Sequence, residues 1–269
     1  MKIAALFIIY KPHVSDLVTN ILQVIETVDL VVLWFNSAVD ISLPEQYENK
    51  ILSVYSEENQ FIAAPINNIL EYCSLHNFDY LLTMDQDSYW EDFSGFIREI
   101  KNMQCDDAIV YSPNINRSIG SLETMIEVDR VITSGSLYNV ELTRKLGGFR
   151  EDYKIYWVDG EFSYWSIINN YKLICLPKFN LLHQFGGHTK RVFGITGANY
   201  SFVSYYFLFR NMLWMHREFG VQAVSYKTIF YTMKSYIPGI ILCEENKIRK
   251  LAHILKAFFH GLFISIKTR

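Results

Sequence analysis

Short apolar runs alternate with helix-like segments along the first third of the chain, and this alternation constrains the fold most. Four runs have the character of buried strands, at 3–9, 30–35, 51–55 and 80–84. One intervening helix is expected to start with Ser15 as its N-cap, and another is expected over 59–76. This alternation is typical of an α/β domain with a mostly parallel central sheet flanked by helices. Ligands of such sheets bind beyond the carboxyl ends of the strands.

The fourth run ends in two carboxylates, Asp85 and Asp87, one residue apart. Alternate residues of an extended chain point to the same side, so both acids are expected to face a common space. Close carboxylates repel one another, and a bound cation relieves that repulsion. The alternative is that the two acids begin a turn and cap the next helix. Neither a G-x-G-x-x-G segment after the first strand nor a phosphate-binding G-K-[ST] loop is present, which argues against dinucleotide and P-loop proteins.

Composition narrows the class of protein further. The 269 residues, half of them hydrophobic, are enough to bury a full core. A net charge of −3 gives no nucleic-acid signature, so no nucleic-acid partner is expected. The four cysteines are far apart, which argues against a zinc ribbon or a disulfide framework. No basic leader precedes the first strand and no uncharged apolar run reaches about 18 residues, so we expect a cytoplasmic protein.

Polar residues in the second half add candidate chemistry. Asp159 and Glu161 lie at or just before the start of a helix expected over 161–169, either as capping carboxylates or as a general base. His183 follows an apolar run, and its imidazole would suit manganese better than magnesium. Arg210 lies in an aromatic helix with no acid four residues away on either side. Its guanidinium is either a phosphate clamp or an arginine that reaches water from the edge of the core.

Together these segments resemble the motifs of bacterial family-two, inverting glycosyltransferases with the GT-A fold, and most of all their rhamnosyltransferase-like members. The resemblance covers about residues 1–215 in the family's order. Its segments are D-Y-L-L-x-x-D-Q-D-S at 79–88, Tyr10-Lys11-Pro12, Thr133-Ser134-Gly135-Ser136, Gly147-Gly148-Phe149, Val158-Asp159-x-Glu161-Phe162, His183-x-x-Gly186 and Tyr205-Tyr206-x-x-x-Arg210-Asn211.

The resemblance implies a GT-A (nucleotide-diphospho-sugar transferase) catalytic domain over 1–215 and a C-terminal helical extension over 216–269. It implies a metal-dependent, hexosyl-type enzyme that moves a sugar, with rhamnose as one candidate, from a dTDP- or UDP-linked donor with inversion. The acceptor would be a hydroxyl of a glycan or a lipid-linked oligosaccharide in cell-surface polysaccharide assembly. The implied site residues are Asp87 and His183 for Mn²⁺ or Mg²⁺, Asp159 as general base with Glu161 as its alternate, and Tyr10, Pro12, Asn36, Asp85 and Arg210 for the donor.

Three departures from the family pattern keep other functions open. The acid that reads the nucleotide base is replaced by Phe35, so Asn36 or Asp40 would take its place. Phe61 stands where the family has a glycine, and Tyr164-Trp165 stands where an arginine usually follows the catalytic acid. A catalytically impaired sugar-nucleotide-binding or scaffold subunit therefore remains an alternative. A nucleotidyltransferase is another, although the glycine-rich basic loop that this class carries after its first strand is missing.

The segment 247–269 has apolar residues at helical spacing and six basic residues with no acid. A basic amphipathic helix can lie on anionic lipid, which would make the protein peripheral on the inner face of the plasma membrane. The alternative is a helix that packs on the catalytic domain or on a partner subunit, as in a homodimer.

Overall fold

The computed structural model describes residues 1–103, 105–120, 123–183, 191–267 and 269. The chain forms two compact units. The first comprises Met1–Lys154 and Val158–Gln184, and the second comprises Ile155–Trp157 and Phe185–Arg269.

One sheet of nine strands organises the first unit within the described residues. The strand order is β3-β2-β1-β4-β8-β6-β9-β5, and β7 pairs with β9. Strands β1 to β4 run parallel, β8 is antiparallel to both β4 and β6, and β9 is parallel to β6. Most strands therefore share one direction, and the expected α/β class with a mostly parallel sheet is confirmed. The strands are β1 (Ile3–Ile9), β2 (Leu30–Phe35), β3 (Ile51–Tyr55), β4 (Tyr80–Asp85), β5 (Ser88–Trp90), β6 (Ala108–Ile115), β7 (Ile126–Glu127), β8 (Ser136–Asn139) and β9 (Lys172–His183).

Amphipathic helices cover the sheet because their apolar residues recur on one face. In α1, for example, Leu17, Ile21 and Val24 are fully buried in the main core. The helices of the first unit are α1 (Val14–Ile25), α2 (Ala63–Leu75), α3 (Phe93–Asn102), α4 (Val140–Lys145) and α5 (Val158–Ile168), with 3₁₀ turns at Glu45–Lys50 and Glu151–Tyr153.

Two helix starts differ from the sequence expectation. Helix α1 has His13 and not Ser15 at its N-cap, and the Ser15 hydroxyl bonds to the ring nitrogen of His13 at 3.1 Å. Helix α2 begins at Ala63 and not at residue 59, because Phe61 adopts a left-handed φ of 58° that no α-helix contains. The Asn59 side chain fixes this turn by accepting a hydrogen bond from the Phe61 amide at 2.8 Å.

Strand β9 is longer than the run expected at 173–176. It continues to His183 because its pairing with β6 shifts register between Pro113 and Asn114, which accommodates Pro177 at an irregularity in the strand. This extension carries His183 to the end of the strand.

Three helices form most of the second unit: α6 (Phe202–Phe219), α7 (Tyr226–Cys243) and α8 (Lys247–Phe263). The C-terminal helical extension is therefore present, and the boundary expected at residue 215 lies inside α6. Lys250 and Glu244 form a buried ion pair of 2.7 Å within this unit. In the part of the chain that the structure describes, no helix is both long enough and apolar enough to cross a membrane.

Candidate metal and donor site

The turn between β4 and β5 carries both acids of the D-x-D motif. Asp85 is the last residue of β4 and Asp87 precedes the first residue of β5. Gln86 between them holds the end of β1: its Oε1 accepts from the Tyr10 amide at 2.9 Å and its Nε2 donates to the Tyr10 carbonyl at 3.1 Å. The Asn20 side chain of α1 donates to the Gln86 carbonyl at 3.0 Å. The turn is thus fixed from two sides, and the acids leave the sheet at the carboxyl ends of parallel strands.

His183 reaches the same place because β5 pairs antiparallel with β9, which puts Ser88 opposite His183. Asp85, Asp87 and His183 each offer a ligand atom, and these atoms lie within 4.8 Å of one another. The Nδ1 atom of His183 lies 3.7 Å from Oδ1 of Asp87. The structure therefore brings together the two residues expected to bind metal, and it adds Asp85.

A chain of hydroxyl groups supports the histidine from behind. The Ser88 hydroxyl bonds to Nδ1 of His183 at 2.8 Å and to the Ser134 hydroxyl at 2.5 Å. Ser134 in turn accepts a hydrogen bond from the Asp85 amide at 3.1 Å. The next residue, Gly135, has a φ of +77° and crowded surroundings that leave no room for a side chain. A hydrogen bond of this kind fixes the orientation of the imidazole ring.

The charges in the site favour a cation. Burial, together with the charges of Asp87 and Asp159, raises the pKa of Asp85 to about 7. Burial lowers the pKa of His183 against an opposing effect of Asp87, so the imidazole favours its neutral, metal-binding form. Two carboxylates and one neutral imidazole form a donor set that suits Mn²⁺, while Mg²⁺ prefers oxygen ligands alone. The residues present therefore fit a divalent ion.

Asp159 lies in the first turn of α5, where its Oδ1 accepts a hydrogen bond from the Gly160 amide at 2.8 Å. Its side chain is 19% exposed and forms an ion pair with Arg130 at 3.3 Å. Glu161, the alternate base, is completely buried. Since Asp159 helps raise the pKa of Asp85, the two carboxylates lie close enough to interact. Asp159 is therefore the more accessible of the two acids, Asp159 and Glu161, and its charge acts on the candidate metal site.

The buried phenol of Tyr138 in β8 lies within the electrostatic range of both Asp85 and Asp159. Its pKa is raised first by burial, next by the charge of Asp159, and by a smaller effect of Asp85. Both carboxylates thus lie near enough to this side chain, within the first unit, to act on its pKa.

The residues expected to bind the nucleotide lie at the ends of β1 and β2. Tyr10 is exposed and Pro12 is half-buried, and their contact with a donor stays a prediction. Asn36 is buried, and its amide is used inside the protein: Nδ2 donates to the Phe61 carbonyl at 2.8 Å, and Oδ1 accepts from the Gln60 amide at 2.8 Å. Asn36 therefore holds the Phe61 loop, and its contact with a donor stays a prediction.

Arg210 lies in α6 of the second unit and is buried, with its guanidinium 3.9 Å from the Trp214 ring centroid. Its Nε donates to Oδ1 of Asn211 at 2.9 Å. Asn211 Nδ2 donates to the carbonyls of Ile155 and Tyr156 at 2.9 and 2.8 Å. The Arg210-Asn211 pair thus supports this segment, and the phosphate-binding role of Arg210 stays a prediction. Gly186 of the His183-x-x-Gly186 motif lies outside the described residues.

Sequence reasoning missed two features of the site. Arg130 has no motif around it, and only the fold brings it to Asp159. Ser134 precedes β8 and Ser88 begins β5, and only the fold brings their two hydroxyl groups together.

Comparisons with known proteins concern the fold. No model of a protein family matches the sequence, and no curated protein matches it. A crystal structure of GalNAc-T7 with UDP, GalNAc and Mn²⁺ matches with a TM-score of 0.60 at 13% identity, over 99% of this chain and 59% of that chain. TarS 1–349 from S. aureus in complex with UDP-GlcNAc matches with a TM-score of 0.57 at 14% identity, over 97% of this chain and 82% of that one. The mannosyltransferase PcManGT from Pyrobaculum calidifontis, in complex with GDP-Man and Mn²⁺, matches with a TM-score of 0.56 at 12% identity, over 99% and 76% of the two chains.

The chain has the GT-A fold. It spans 59% of the length of the GalNAc-T7 chain that it matches. The expected GT-A fold is thus confirmed, and its structural neighbours are GT-A glycosyltransferases.

Proposed function

We propose that this protein is a metal-dependent glycosyltransferase that moves a sugar from a nucleoside-diphosphate donor to an acceptor hydroxyl with inversion. The observation that carries the proposal is the cluster of Asp85, Asp87 and His183 at the carboxyl ends of parallel strands, with Asp159 close enough to raise the pKa of Asp85. The structural neighbours include complexes with UDP, UDP-GlcNAc and GDP-Man, two of them with Mn²⁺, which supports a sugar-nucleotide donor.

Asp87 and His183 would hold the divalent ion, and Asp85 would complete its shell or face the ribose of the donor. When bound, the ion supplies positive charge that stabilises the departing diphosphate. Other residues of the chain orient the metal ligands and the donor. Ser88 orients the imidazole, Gln86 fixes the turn, and Tyr10 edges the nucleotide pocket.

Asp159 is the proposed general base. Inverting transfer requires a base that takes the proton of the acceptor hydroxyl while its oxygen attacks C1 from the face opposite the leaving group. A carboxylate that is partly open to solvent at the first turn of α5 can accept that proton. Arg130 beside it would keep the carboxylate oriented.

The departures from the family pattern are partly offset in the structure, which weakens the case for an inactive subunit. Phe61 adopts the left-handed backbone that suits the glycine it replaces. Trp165 donates to the Leu146 carbonyl at 3.3 Å and serves packing, while Arg130 brings a guanidinium to Asp159 from another segment. The family's resemblance further supports a lipid-linked or glycan acceptor on the cytoplasmic side of the membrane, in polysaccharide assembly.

The test is release of nucleoside diphosphate by the full chain from a panel of UDP-, dTDP- and GDP-linked sugars, with Mn²⁺ or with EDTA. The panel includes dTDP-rhamnose, because of the motif resemblance. We expect metal-dependent release from at least one donor. Donor binding without release, even when acceptors are supplied, would support a scaffold subunit. Pyrophosphate release from a nucleoside triphosphate and a sugar phosphate would support a nucleotidyltransferase.

A further inference from the structure

Helix α8 packs within the second unit through a narrow face of small and medium side chains. Ile254, Ala257 and Gly261 are buried, and a Cβ on Gly261 would lie 2.7 Å from a methyl carbon of Leu213 in α6. Arg217 of α6 donates to the Gly261 carbonyl at 2.8 Å. The helix is therefore held by one face, and its orientation within the unit is fixed.

The opposite face of α8 is apolar and open to solvent. Ile248, Leu255, Phe259 and Phe263 recur at intervals of seven, four and four residues, which places them on one side of the helix. All four are well exposed, with Leu255 at 72% and Phe259 at 60%. Large apolar side chains grouped on one helix face mark a binding surface more often than a plain solvent face.

The charged residues of α8 itself have one sign. Residues 247–263 contain four basic residues and no acid. Lys250 points inward to Glu244, while Lys247, Arg249 and Lys256 remain on the outer half of the helix or at its borders. Arg249 stacks on Phe202 at 3.8 Å and stays beside the apolar face. The surface is thus apolar at its centre and positive at its borders.

We propose that this outer face of α8 binds the surface of an anionic phospholipid membrane. Acyl chains accept Leu255 and Phe259, while lipid phosphates pair with the flanking cations. The same face of a second copy of the chain is a less suitable partner, because the basic residues of the two helices would repel one another. The proposal stands apart from the glycosyl-transfer chemistry, since it rests only on the second unit.

The test is co-sedimentation of the full chain with vesicles of neutral phosphatidylcholine, with and without phosphatidylglycerol. We expect binding to the anionic vesicles, and weakening by high salt, because the electrostatic part is screened. The double variant Leu255→Ser, Phe259→Ser should bind more than tenfold more weakly. Leu75→Ser is the matched control, because Leu75 is 71% exposed but lies in α2 of the first unit. It should bind like the parent.

Charge is tested separately. Lys256→Gln should weaken binding to anionic vesicles about fivefold, the equivalent of about 1 kcal/mol. Lys101→Gln, an exposed lysine in α3, should leave it unchanged. Thermal melts of each variant check that the fold is kept.

Several results would overturn the proposal. They are equal binding of the double variant and the parent, no binding to either vesicle, and binding that ignores lipid charge. A dimer in sedimentation that the double variant abolishes, without vesicle binding by the parent, would assign the face to a second copy instead. Binding of a soluble acidic protein to this face, without binding of vesicles, would also refute the proposal that the face binds a membrane.

Discussion

The affinity for Mn²⁺ should depend steeply on pH between about 6 and 8, because Asp85 must be charged to attract the ion. Its pKa is raised from the ordinary value to about 7 by burial and by the charges of Asp87 and Asp159. His183 contributes less in this range, since burial lowers its pKa and moves its proton competition to more acidic solutions.

The size of the effect follows from the titration. With a pKa of about 7, roughly one Asp85 side chain in eleven is charged at pH 6 and about ten in eleven at pH 8. The apparent dissociation constant for Mn²⁺ should therefore fall about tenfold from pH 6 to pH 8, with release of a proton on binding at the lower pH.

Calorimetric titration of Mn²⁺ into the full chain, in buffers of different ionisation enthalpy, measures both quantities. Asp159→Asn removes one of the charges that raise the pKa of Asp85, so it should move the midpoint of the pH profile to lower pH. Asp106→Asn is the control, because Asp106 is exposed on the loop before β6 and should leave the profile unchanged. Equal affinity at pH 6 and pH 8 would refute the role of Asp85. An unmoved midpoint in Asp159→Asn would refute the electrostatic interaction between Asp159 and Asp85.

Three further predictions concern the same site. Asp85→Asn should raise the melting temperature of the metal-free protein at pH 8 and much less at pH 5. The raised pKa means that the contribution of Asp85 to stability is lost as the pH rises through about 7, and a scan showing no difference between the two pH values would contradict this. Ser88→Ala should weaken Mn²⁺ binding by about 10- to 100-fold, because it removes the hydroxyl that holds the imidazole, and parent-like calorimetric affinity would exclude that role. Gly135→Ala should lower the free energy of unfolding, measured by urea titration, by about 1–3 kcal/mol. The reason is that the φ of residue 135 is +77° and the new Cβ would lie 2.7 Å from Leu181. An unchanged urea midpoint would argue against this geometry.

The fold could be predicted from the sequence to a large extent, because buried parallel strands are apolar runs that a simple pattern reveals. Strands β1 to β4 were expected close to their observed bounds. The predicted starts of α1 and α2 were wrong, because hydrogen bonds of side chains in the preceding turns, above all that of Asn59, decide where each helix begins. The length of β9 was missed because Pro177 suggests a break, whereas an irregular pairing with β6 accommodates it.

Most residues of the candidate site could be predicted from the sequence, but their arrangement in space could not. The D-x-D pattern and the resemblance indicated Asp87 and His183, yet only the pairing of β5 with β9 brings them together. Burial could not be read from the sequence, so Glu161 was kept as an alternate to Asp159 although it is completely buried. Arg130 could not be predicted at all, because its partner lies 29 positions away in the chain.

We propose that Asp87 and Asp159 have separate roles: Asp87 binds the metal ion that holds the donor, and Asp159 in α5 takes the proton of the acceptor. The most direct measurement compares donor binding with sugar transfer in Asp87→Ala and Asp159→Asn, each against the parent. We expect Asp87→Ala to lose metal-dependent donor binding, and Asp159→Asn to bind the donor like the parent and to lose transfer by at least about 100-fold. Transfer at the parent rate by Asp159→Asn, or unchanged metal-dependent donor binding by Asp87→Ala, would contradict this proposal.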